Sequence, residues 1–410
     1  MKTKAIRLYG EKDLRFEEFD LRDITEGEIL IKVICDSICM STYKTAMQGS
    51  KHLRVPNDIA TNPIIIGHEF CAQIVKVGRR WQNKYHVGEK IIIPPALDYC
   101  VPNTIGYSFG EIGGDATYAI VYEHIIEHGY LLKFHGDAYF KGSIIEPVSC
   151  IVRGYKGTFH LKGDDLITGL KSGGRLAILG GCGPMGLEAI DIAISCENKP
   201  MILVVADIDK DRLARAERLF AEKAKFNGVE LIFTTETDKE TFMKLTDGKG
   251  YDDVFVYAPV SSLIETADSV LAFDGCLNFF AGPIDKSLSA KFNFYNVHYL
   301  QHHVAGTSGS TTEDIKESAE MIGKGIIDPA VMISHIGGLN AVIDTTLNLP
   351  NIPGGKKLIY THIDLPLTAL SDFEKLGKSD KRFAVLDELV KGNNGIWSAA
   401  AEKYLLENFI

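Results

Sequence analysis

The chain has 410 residues, of which 45% are hydrophobic and 24% are charged, a composition typical of globular proteins and unlike that of disordered or fibrous chains. At roughly 150 residues per domain, this length predicts two or three domains. The 44 Lys and Arg residues against 54 Asp and Glu residues leave a net charge of −10, which argues against a nucleic-acid-binding protein and against binding to an acidic membrane surface.

The sequence also indicates the cellular compartment in which the protein is expected. No run of 18 apolar residues occurs, so we expect no membrane-spanning segment and no membrane partner. The first nine residues carry charges where a signal peptide needs an apolar core, and they are typical of a first strand. The 8 cysteines are scattered singly along a long chain, unlike a disulfide framework. We therefore expect a cytoplasmic protein in a reducing environment.

The chain changes character near residue 150. The first part contains short β-type runs separated by Gly, Pro and Asn, which predicts a mostly β domain. These runs lie at 28–34, 73–77, 90–94 and 117–121. From about residue 174 to 310, strands alternate with helical patterns such as 187–195 and 212–220. The predicted strands of this second part are 175–179, 201–206, 230–233, 253–257, 276–280 and 302–305. Six short strands with helical crossovers predict a doubly wound parallel sheet, and hence an α/β protein.

A glycine-rich turn follows the first of these strands. The segment Gly181-Cys-Gly-Pro-Met-Gly186 has the G-x-G-x-x-G spacing, and a strand leads into it while a helix leaves it. Gly181 permits the tight turn, Gly183 lets the backbone approach a pyrophosphate, and Gly186 lets helix and strand pack closely. Residues of and after this turn complete the predicted cofactor-binding set: Pro184, Met185 and Arg212.

Asp207 indicates which dinucleotide would bind. It lies 21 residues after Gly186, at the end of the second strand of this part. A carboxylate there accepts hydrogen bonds from the adenosine ribose and repels a 2′-phosphate, so NAD(H) is favoured over NADP(H). The alternative for Asp207 is an acidic turn residue in contact with solvent, and Asp209 could take its role.

Three segments carry residues that suit a metal ion. Cys39 and His68 lie in the β-rich part, and Glu146 begins the passage into the second part. A thiolate, an imidazole and a carboxylate with one vacant position are typical of catalytic zinc. Each residue also has an ordinary structural alternative, since a single Cys is usually a buried apolar residue and a single His is often structural.

Taken together, these segments resemble the zinc-dependent medium-chain alcohol and polyol dehydrogenases, in order over about residues 1–360. The matching stretches are Cys39-Met-Ser, Pro63-Ile-Ile-Ile-Gly-His-Glu, Val77-Gly, Val87-Gly-Glu, Glu146-Pro-Val-Ser, Gly181-Cys-Gly-Pro-Met-Gly-Leu, Asp207-Ile-Asp-Lys-Asp-Arg-Leu and Gly306-Thr-Ser-Gly. The resemblance implies a GroES-like catalytic domain at 1–155, completed by 310–410, and a Rossmann NAD-binding domain at 156–309. It places the active site in the cleft between them.

The resemblance also implies roles for individual residues. Cys39 and His68 become zinc ligands, Glu146 takes the third-ligand position, and Glu69 is the alternate carboxylate. Adjacent residues on an extended chain point to opposite faces, so His68 and Glu69 both reach the metal only if the backbone turns. We therefore rank Glu146 above Glu69 as a metal ligand. The carboxylate that does not bind the metal is expected to contact the ligands around it. Ser41, with the two carboxylates, completes the predicted catalytic set and would pass the alcohol proton toward the nicotinamide ribose.

Three departures from the family pattern matter. Cys100 stands alone where many members have four cysteines, so we expect one catalytic zinc and no structural zinc. Thr42 replaces the usual acid, and Tyr43 and Lys44 stand where a relay histidine is customary. Residues 361–410 extend beyond the resemblance, and their amphipathic spacing indicates a packing or oligomer-contact element rather than a substrate lid.

Some stretches are closest to the L-sorbose-1-phosphate reductase type within the family. These are Tyr43-Lys-Thr-Ala-Met-Gln-Gly, Lys51-His-Leu-Arg-Val-Pro-Asn-Asp, Gly354-Gly-Lys-Lys-Leu-Ile-Tyr and, in the tail, Gly395-Ile-Trp and Glu402-Lys-Tyr-Leu-Leu. This type implies reversible hydride transfer between NAD(P)H and the ketone of a sugar phosphate, as in L-sorbose 1-phosphate to D-glucitol 6-phosphate.

A cationic cluster supports a phosphorylated substrate independently. Lys44, Lys51, His52 and Arg54 lie between the first two ligand motifs of an acidic chain, and we expect Arg54 to grip the phosphate. The alternative is a solvated surface patch. Other functions left open are a polyol or secondary-alcohol dehydrogenase acting on an unphosphorylated substrate, a zinc-free quinone reductase, and a non-catalytic NAD-binding protein. Analogy to relatives predicts a homodimer or homotetramer.

Overall fold

The computed structural model describes residues 1–409. Its strands, in chain order, are β1 Lys2–Gly10, β2 Asp13–Asp20, β3 Ile29–Ile38, β4 Ile64–Ile65, β5 Phe70–Val77, β6 Lys90–Ile92, β7 Tyr118–Val121, β8 Leu132–Lys133, β9 Phe159–Lys162, β10 Asp165–Thr168, β11 Arg175–Leu179, β12 Ile202–Ala206, β13 Glu230–Thr234, β14 Tyr251–Val256, β15 Leu271–Phe279, β16 His303–Ala305, β17 Ile333–Gly338, β18 Lys356–Tyr360 and β19 Thr368–Ala369.

The helices are α1 Met40–Gln48, α2 Glu123–Glu127, α3 Tyr139–Ser143, α4 Ile145–Lys156, α5 Pro184–Ser195, α6 Lys210–Phe226, α7 Lys239–Lys244, α8 Ser261–Val270, α9 Phe294–Tyr299, α10 Thr312–Gly323, α11 Val342–Asn348, α12 Phe373–Leu376, α13 Lys381–Lys391 and α14 Ala399–Asn408. None of these described helices combines the length and the apolar character that crossing a bilayer requires.

The chain divides into two compact units. The first comprises Met1–Glu146, Thr311–Gly325 and the chain from Ile333 onward, and the second comprises Pro147–Ser310 and Ile326–Met332. The first unit is therefore built from three separate stretches of sequence, and the second unit occupies the two intervals between them.

The first unit is organised around strand β3. An eight-stranded sheet has the order β19-β17-β18-β3-β5-β6-β8, with β7 also pairing to β3, and a three-stranded sheet has the order β2-β1-β4. Strand β3 has nine buried residues out of ten, as expected for a strand with neighbours on both edges and apolar side chains on both faces. Ile29, Ile31 and Val33 of this strand lie in one of the apolar clusters of the unit.

Strand register explains why distant residues meet at one end of β3. Strand β5 runs antiparallel to β3 with Asp36 opposite Phe70, so the end of β3 lies beside the start of β5. Strand β18 is also antiparallel to β3, with Lys357 opposite Ile38. The residues that follow β3, precede β5 and begin β18 therefore come together, although about 300 positions separate the first from the last.

The second unit contains the predicted parallel sheet. Its order is β13-β12-β11-β14-β15-β16, and every neighbouring pair is parallel. The order reverses between β11 and β14, which is the position where doubly wound sheets bind ligands beyond the carboxyl ends of their strands. The glycine-rich turn follows β11, at this edge of the sheet.

The tail folds into two packed helices. Helices α13 and α14 lie within residues 361–410, the stretch with amphipathic spacing. Trp397, between them, is fully buried and packs edge-on against Phe373. The ring of Phe383 contacts that of Phe373 at a tilt of 45°. The tail is therefore an integral part of the core of the first unit.

Candidate functional site

Cys39 lies at the junction of strand β3 and helix α1. It is the N-cap residue of α1, and its Sγ accepts a hydrogen bond from the backbone N–H of Ser41 at 3.5 Å. Its extended backbone ends the strand, and the helix begins at the next residue. The sulfur is thereby held at the sheet end where the start of β5 also lies.

His68 and Glu69 reach the same place from the start of β5. Gly67 has a φ of 87°, and a Cβ there would lie 2.6 Å from the backbone N of Asp115, so the tight turn requires glycine. The backbone bends again at Glu69 before β5 begins. Because the backbone turns here, the neighbouring side chains of His68 and Glu69 can point toward the same site.

The three side chains form a compact cluster. One ligand atom from each of Cys39, His68 and Glu69 lies within 4.8 Å of the other two. His68 and Glu69 are buried, with 4% and 1% of their surface exposed. Thr42, which replaces the usual acid, places its Oγ1 3.4 Å from Nδ1 of His68 and so orients the imidazole with a neutral group.

Burial determines the protonation of this cluster. Burial lowers the pKa of His68 to about 4, so its imidazole is neutral near pH 7. Burial, together with the Glu69 carboxylate, raises the pKa of the Cys39 thiol to about 12. Burial alone would raise the pKa of Glu69 as well, but Lys356 holds it below its ordinary value. The cluster thus offers a neutral imidazole, an ionised carboxylate and a thiol that a bound cation would deprotonate.

Lys356 is the principal partner that reasoning from sequence missed. Its Nζ lies 2.6 Å from both Oε1 and Oε2 of Glu69, and both side chains are almost completely buried. Ser37 also donates to Oε2 of Glu69 through a close contact. Lys356 belongs to the quoted stretch Gly354-Gly-Lys-Lys, but nothing in that stretch indicated a partner 287 positions away.

Glu146 lies beside the cluster, in the first turn of α4. It lines a cavity of about 10 Å³ together with His68 and Glu69, a volume that suits one water molecule or ion. The cluster of potential ligands includes Glu69, because the bend there brings a second residue of the same segment to the site. The order of Glu146 and Glu69 as metal ligands stays a prediction.

The donor set fits zinc. Sulfur, imidazole nitrogen and carboxylate oxygen are the ligands of catalytic zinc sites, which keep one position open. Oε1 of Glu69 accepts from Lys356, whereas Oε2 accepts from both Lys356 and Ser37. Because a carboxylate oxygen has two lone pairs, Oε1 keeps one for a metal.

Tyr107 was not singled out from the sequence and lies between the cluster and the predicted phosphate residues. Its ring centroid is 5.1 Å from that of His68 and 5.5 Å from that of His52, which is stacked on it. The guanidinium of Arg54 lies 5.6 Å from the same ring. Burial raises the pKa of Tyr107, and a hydrogen bond with Ser41 acts in the opposite direction.

The other predicted cations are placed differently. Lys51 is exposed and pairs with Glu11 through a close contact. Lys44 lies on α1 and is partly exposed. The structure therefore brings His52 and Arg54, but not Lys51, to the aromatic ring that contacts the cluster. Ser41 Oγ lies 3.3 Å from Cys39 Sγ.

In the second unit, the glycine-rich turn has the geometry that its spacing predicts. Gly183 is the N-cap of α5, and Pro184 occupies the first turn of that helix. A Cβ at Gly186 would lie 2.3 Å from the carbonyl oxygen of Gly181, so helix and turn pack too closely for any side chain. A Cβ at Gly183 would meet no atom within 4 Å, which leaves space for a ligand at the helix N-terminus.

Asp207 follows strand β12 and faces this turn. Its Oδ2 accepts from the backbone N–H of Cys182 at 3.0 Å, and its Oδ1 accepts from that of Asp209 at 3.1 Å. Asp209 caps α6 by accepting from the N–H groups of Asp211 and Arg212, so it is engaged in the helix terminus. Arg212 is half exposed and lies 3.4 Å from the Asp209 carboxylate.

A cavity of about 580 Å³ lies in the second unit and includes Met185 of the turn. Its other walls come from the ends of β15 and β16, and its lining includes Phe280, Pro283, Thr307 and Ser308. An open glycine at a helix N-terminus, a carboxylate at the end of the next strand and this cavity fit a nicotinamide dinucleotide.

Comparison with known proteins identifies both units. The family model for the alcohol dehydrogenase GroES-like domain matches residues 25–128, and the model for zinc-binding dehydrogenases matches residues 184–324. The chain is 46% identical to mannitol-1-phosphate 5-dehydrogenase of Aliivibrio fischeri, covering 99% of this chain and 97% of that protein. It is 42% identical to L-sorbose 1-phosphate reductase of Klebsiella pneumoniae, covering 98% and 97%.

A solved structure shows the same fold. The crystal structure of 2R,3R-butanediol dehydrogenase from Bacillus subtilis matches 88% of this chain and 100% of its own, with a TM-score of 0.68 and 20% sequence identity.

Proposed function

Because the chain belongs to the zinc-binding dehydrogenase family and is an oxidoreductase, we propose that it catalyses reversible reduction of a phosphorylated ketose to the corresponding polyol phosphate. The observation that carries the proposal is the buried cluster of Cys39, His68 and Glu69, whose donors suit catalytic zinc. The names of two relatives above 40% identity support the sugar-phosphate substrate class.

Residues of the first unit would hold the metal and supply the proton. Cys39, His68 and Glu69 would bind zinc, with Thr42 orienting the imidazole. When bound, zinc supplies a Lewis acid for the carbonyl oxygen, and the reduced dinucleotide supplies the hydride for the carbonyl carbon. Ser41 Oγ delivers the proton that the oxygen gains, so ketone, NADH and one proton become alcohol and NAD⁺. Burial of the cluster keeps bulk water from competing for the site.

Arg54 and His52 are the proposed phosphate contacts. A guanidinium is a fork of N–H donors suited to phosphate, and Arg54 lies over the ring that packs against His68. Its position supports a phosphate held beside the reacting carbon of a small sugar. Lys44 stays a candidate for the same role.

Asp207 supports a preference for NAD(H). Its carboxylate is fixed by two backbone N–H groups and lies at the end of β12. A 2′-phosphate placed against this buried negative charge is disfavoured, whereas ribose hydroxyls can donate to it.

The test combines zinc analysis with kinetics. We expect about one zinc per chain, and turnover of L-sorbose 1-phosphate or mannitol 1-phosphate at a kcat/KM at least tenfold above that of the unphosphorylated sugars, with NAD(H) preferred over NADP(H). Cys39→Ala and His68→Ala should lower kcat by roughly 10³-fold or more because they remove zinc ligands, while NADH affinity measured by fluorescence stays within about twofold. Cys100→Ala is the matched control.

Three results would contradict this function. Full activity in a metal-free preparation would point to zinc-free reduction, and preferential turnover of plain polyols would exclude the phosphate role. NADH binding without turnover of any sugar or sugar phosphate would indicate a non-catalytic NAD-binding protein.

A further inference from the structure

The C-terminal tail contains a buried acid that the proposed mechanism does not use. Glu402 lies on helix α14 and is 3% exposed. Burial raises the pKa of this carboxyl group to about 7. A carboxyl group placed in the core needs strong hydrogen bonds to remain there, so its partners indicate its role.

The first partners of Glu402 are backbone groups of another helix. Oε1 accepts from the N–H of Tyr139 at 2.5 Å, and Oε2 accepts from the N–H of Phe140 at 2.7 Å. These are the first two residues of α3, whose own N-cap residue, Ala138, provides no side-chain hydrogen bond. Glu402 therefore caps α3 from a position 263 residues further along the chain.

The second partner of Glu402 is strand β18. The hydroxyl of Tyr360 donates to Oε2 of Glu402 at 3.0 Å and accepts from Nε1 of Trp397 at 2.8 Å. All three side chains are buried. We call Trp397, Tyr360 and Glu402 the tail clamp. Tyr360 is the last residue of β18, and Lys356, which pairs with Glu69, is the first.

Helix α3 leads from the tail clamp to the metal cluster. Gly142 and Ser143, at its C-terminal end, line the same small cavity as His68 and Glu69. A Cβ at Gly142 would lie 2.5 Å from Sγ of Cys71, so α3 rests directly on β5 and has no space to shift toward it. Glu146 follows three residues after Ser143. A displacement of the start of α3 would therefore reach the wall of the cavity.

We propose that Glu402 is a positioning residue, and that the tail clamp holds α3 and β18 so that Glu146 and Lys356 stay aligned with the Cys39, His68 and Glu69 cluster. This gives the C-terminal tail a role in assembling the zinc site. The inference rests on the proposed function, because it takes that cluster to be the metal site. Outer contacts that orient ligands commonly contribute 10–100-fold to metal affinity or activity.

The test uses three substitutions of graded severity. Tyr360→Phe removes one hydroxyl and keeps the ring, and Trp397→Phe removes the indole N–H together with part of the ring system. Glu402→Gln keeps the shape but places an amide N–H₂ against one of two backbone donors. We expect Glu402→Gln and Tyr360→Phe to weaken zinc affinity about tenfold or more in chelator competition, and to lower kcat with an unchanged KM for NADH. Glu407→Gln, on the exposed face of the same helix, is the matched control and should match the wild type.

The outcomes separate the inference from the function on which it rests. Variants with a lower melting temperature but wild-type zinc affinity and kcat would show that the clamp is only structural and would overturn the inference. If Glu402→Gln does not fold, Tyr360→Phe decides, because it removes a single hydroxyl. A wild-type protein that binds no zinc would overturn the proposed function, and the inference with it.

Discussion

Arg54 is the residue on which the proposed preference for phosphorylated substrates most depends. Its backbone carbonyl accepts from Ser108 Oγ at 2.6 Å, and its backbone N–H donates to Nδ1 of His52 at 3.2 Å. These contacts fix the main chain while the guanidinium lies over Tyr107. The segment is therefore held in place, and the charged group lies at its exposed surface.

Replacing Arg54 with alanine should reduce discrimination between phosphorylated and plain sugars. A charge-assisted contact to phosphate contributes about 1.5–3 kcal/mol, so we expect kcat/KM for the sugar phosphate to fall roughly 10–100-fold in Arg54→Ala, with the plain sugar almost unaffected. Steady-state kinetics with both substrates measures the ratio. Arg79→Ala, a remote exposed arginine, is the control. An unchanged ratio of the two kcat/KM values would show that other residues bind the phosphate.

Among the elements, helix α5 begins at the proposed dinucleotide site and has buried acids in its middle. Asp191 pairs with Lys223 and accepts from the backbone N–H of Asp328. Glu188, one turn earlier, is fully buried, and neither of its carboxylate oxygens has a hydrogen-bond partner among residues 1–409. Burial and then the nearby Asp191 raise its pKa well above the ordinary value. This carboxyl group is therefore a destabilising feature of the helix at neutral pH.

We predict that Glu188→Met stabilises the protein. The folded protein holds a proton on Glu188 that the unfolded chain releases above its pKa of about 4.5, so wild-type stability falls as pH rises through this range. The gain from Glu188→Met in free energy of unfolding should thus grow with pH and reach about 1–3 kcal/mol near pH 8. Urea unfolding at pH 4 and pH 8 measures it, with Glu188→Gln as the non-titrating control. A difference that is independent of pH would contradict this account.

At the scale of the whole molecule, the two proposed ligand sites belong to different units. The cluster of Cys39, His68 and Glu69 lies in the first unit, and the glycine-rich turn with Asp207 lies in the second. Each ligand should therefore stabilise the unit that supplies its contacts. The match to both family models and to the dehydrogenase fold confirms the predicted GroES-like and Rossmann architecture.

Hydrogen–deuterium exchange should resolve this division. Removing zinc with a chelator should speed exchange around residues 36–42 and 67–72, whereas NADH at about 100 times its Kd should slow exchange around β11, β12 and the turn, since binding adds about 2.7 kcal/mol there. Zinc-saturated chelator is the control. Chelator-dependent exchange confined to the second unit would be incompatible with the proposed ligands.

Much of the second unit could be predicted from local pattern alone. All six predicted strands occur at or near their expected positions, because each is a short apolar run and the turn between β11 and α5 is marked by its own glycines. The largest difference is β15, which begins at Leu271 rather than at 276. Asp274 has a φ of 59°, and the strand passes through it with a register shift, so a turn-like Asp-Gly pair lies inside a strand.

The sequence by itself determined the order of strands and helices in the second unit, the dinucleotide turn and, through family resemblance, the candidate ligands Cys39 and His68. The tertiary structure decided that Glu69 joins them, that Lys356 neutralises it and that Glu402 caps α3. The physical reason is the sequence separation of the residues involved, since a turn or an apolar run is encoded by adjacent residues. The contacts of Glu69, Lys356 and Glu402 depend instead on the register of β18 and β5 against β3 and on the packing of a tail helix. Those pairings join residues as far apart in the chain as Ile38 and Lys357, and no local pattern encodes them.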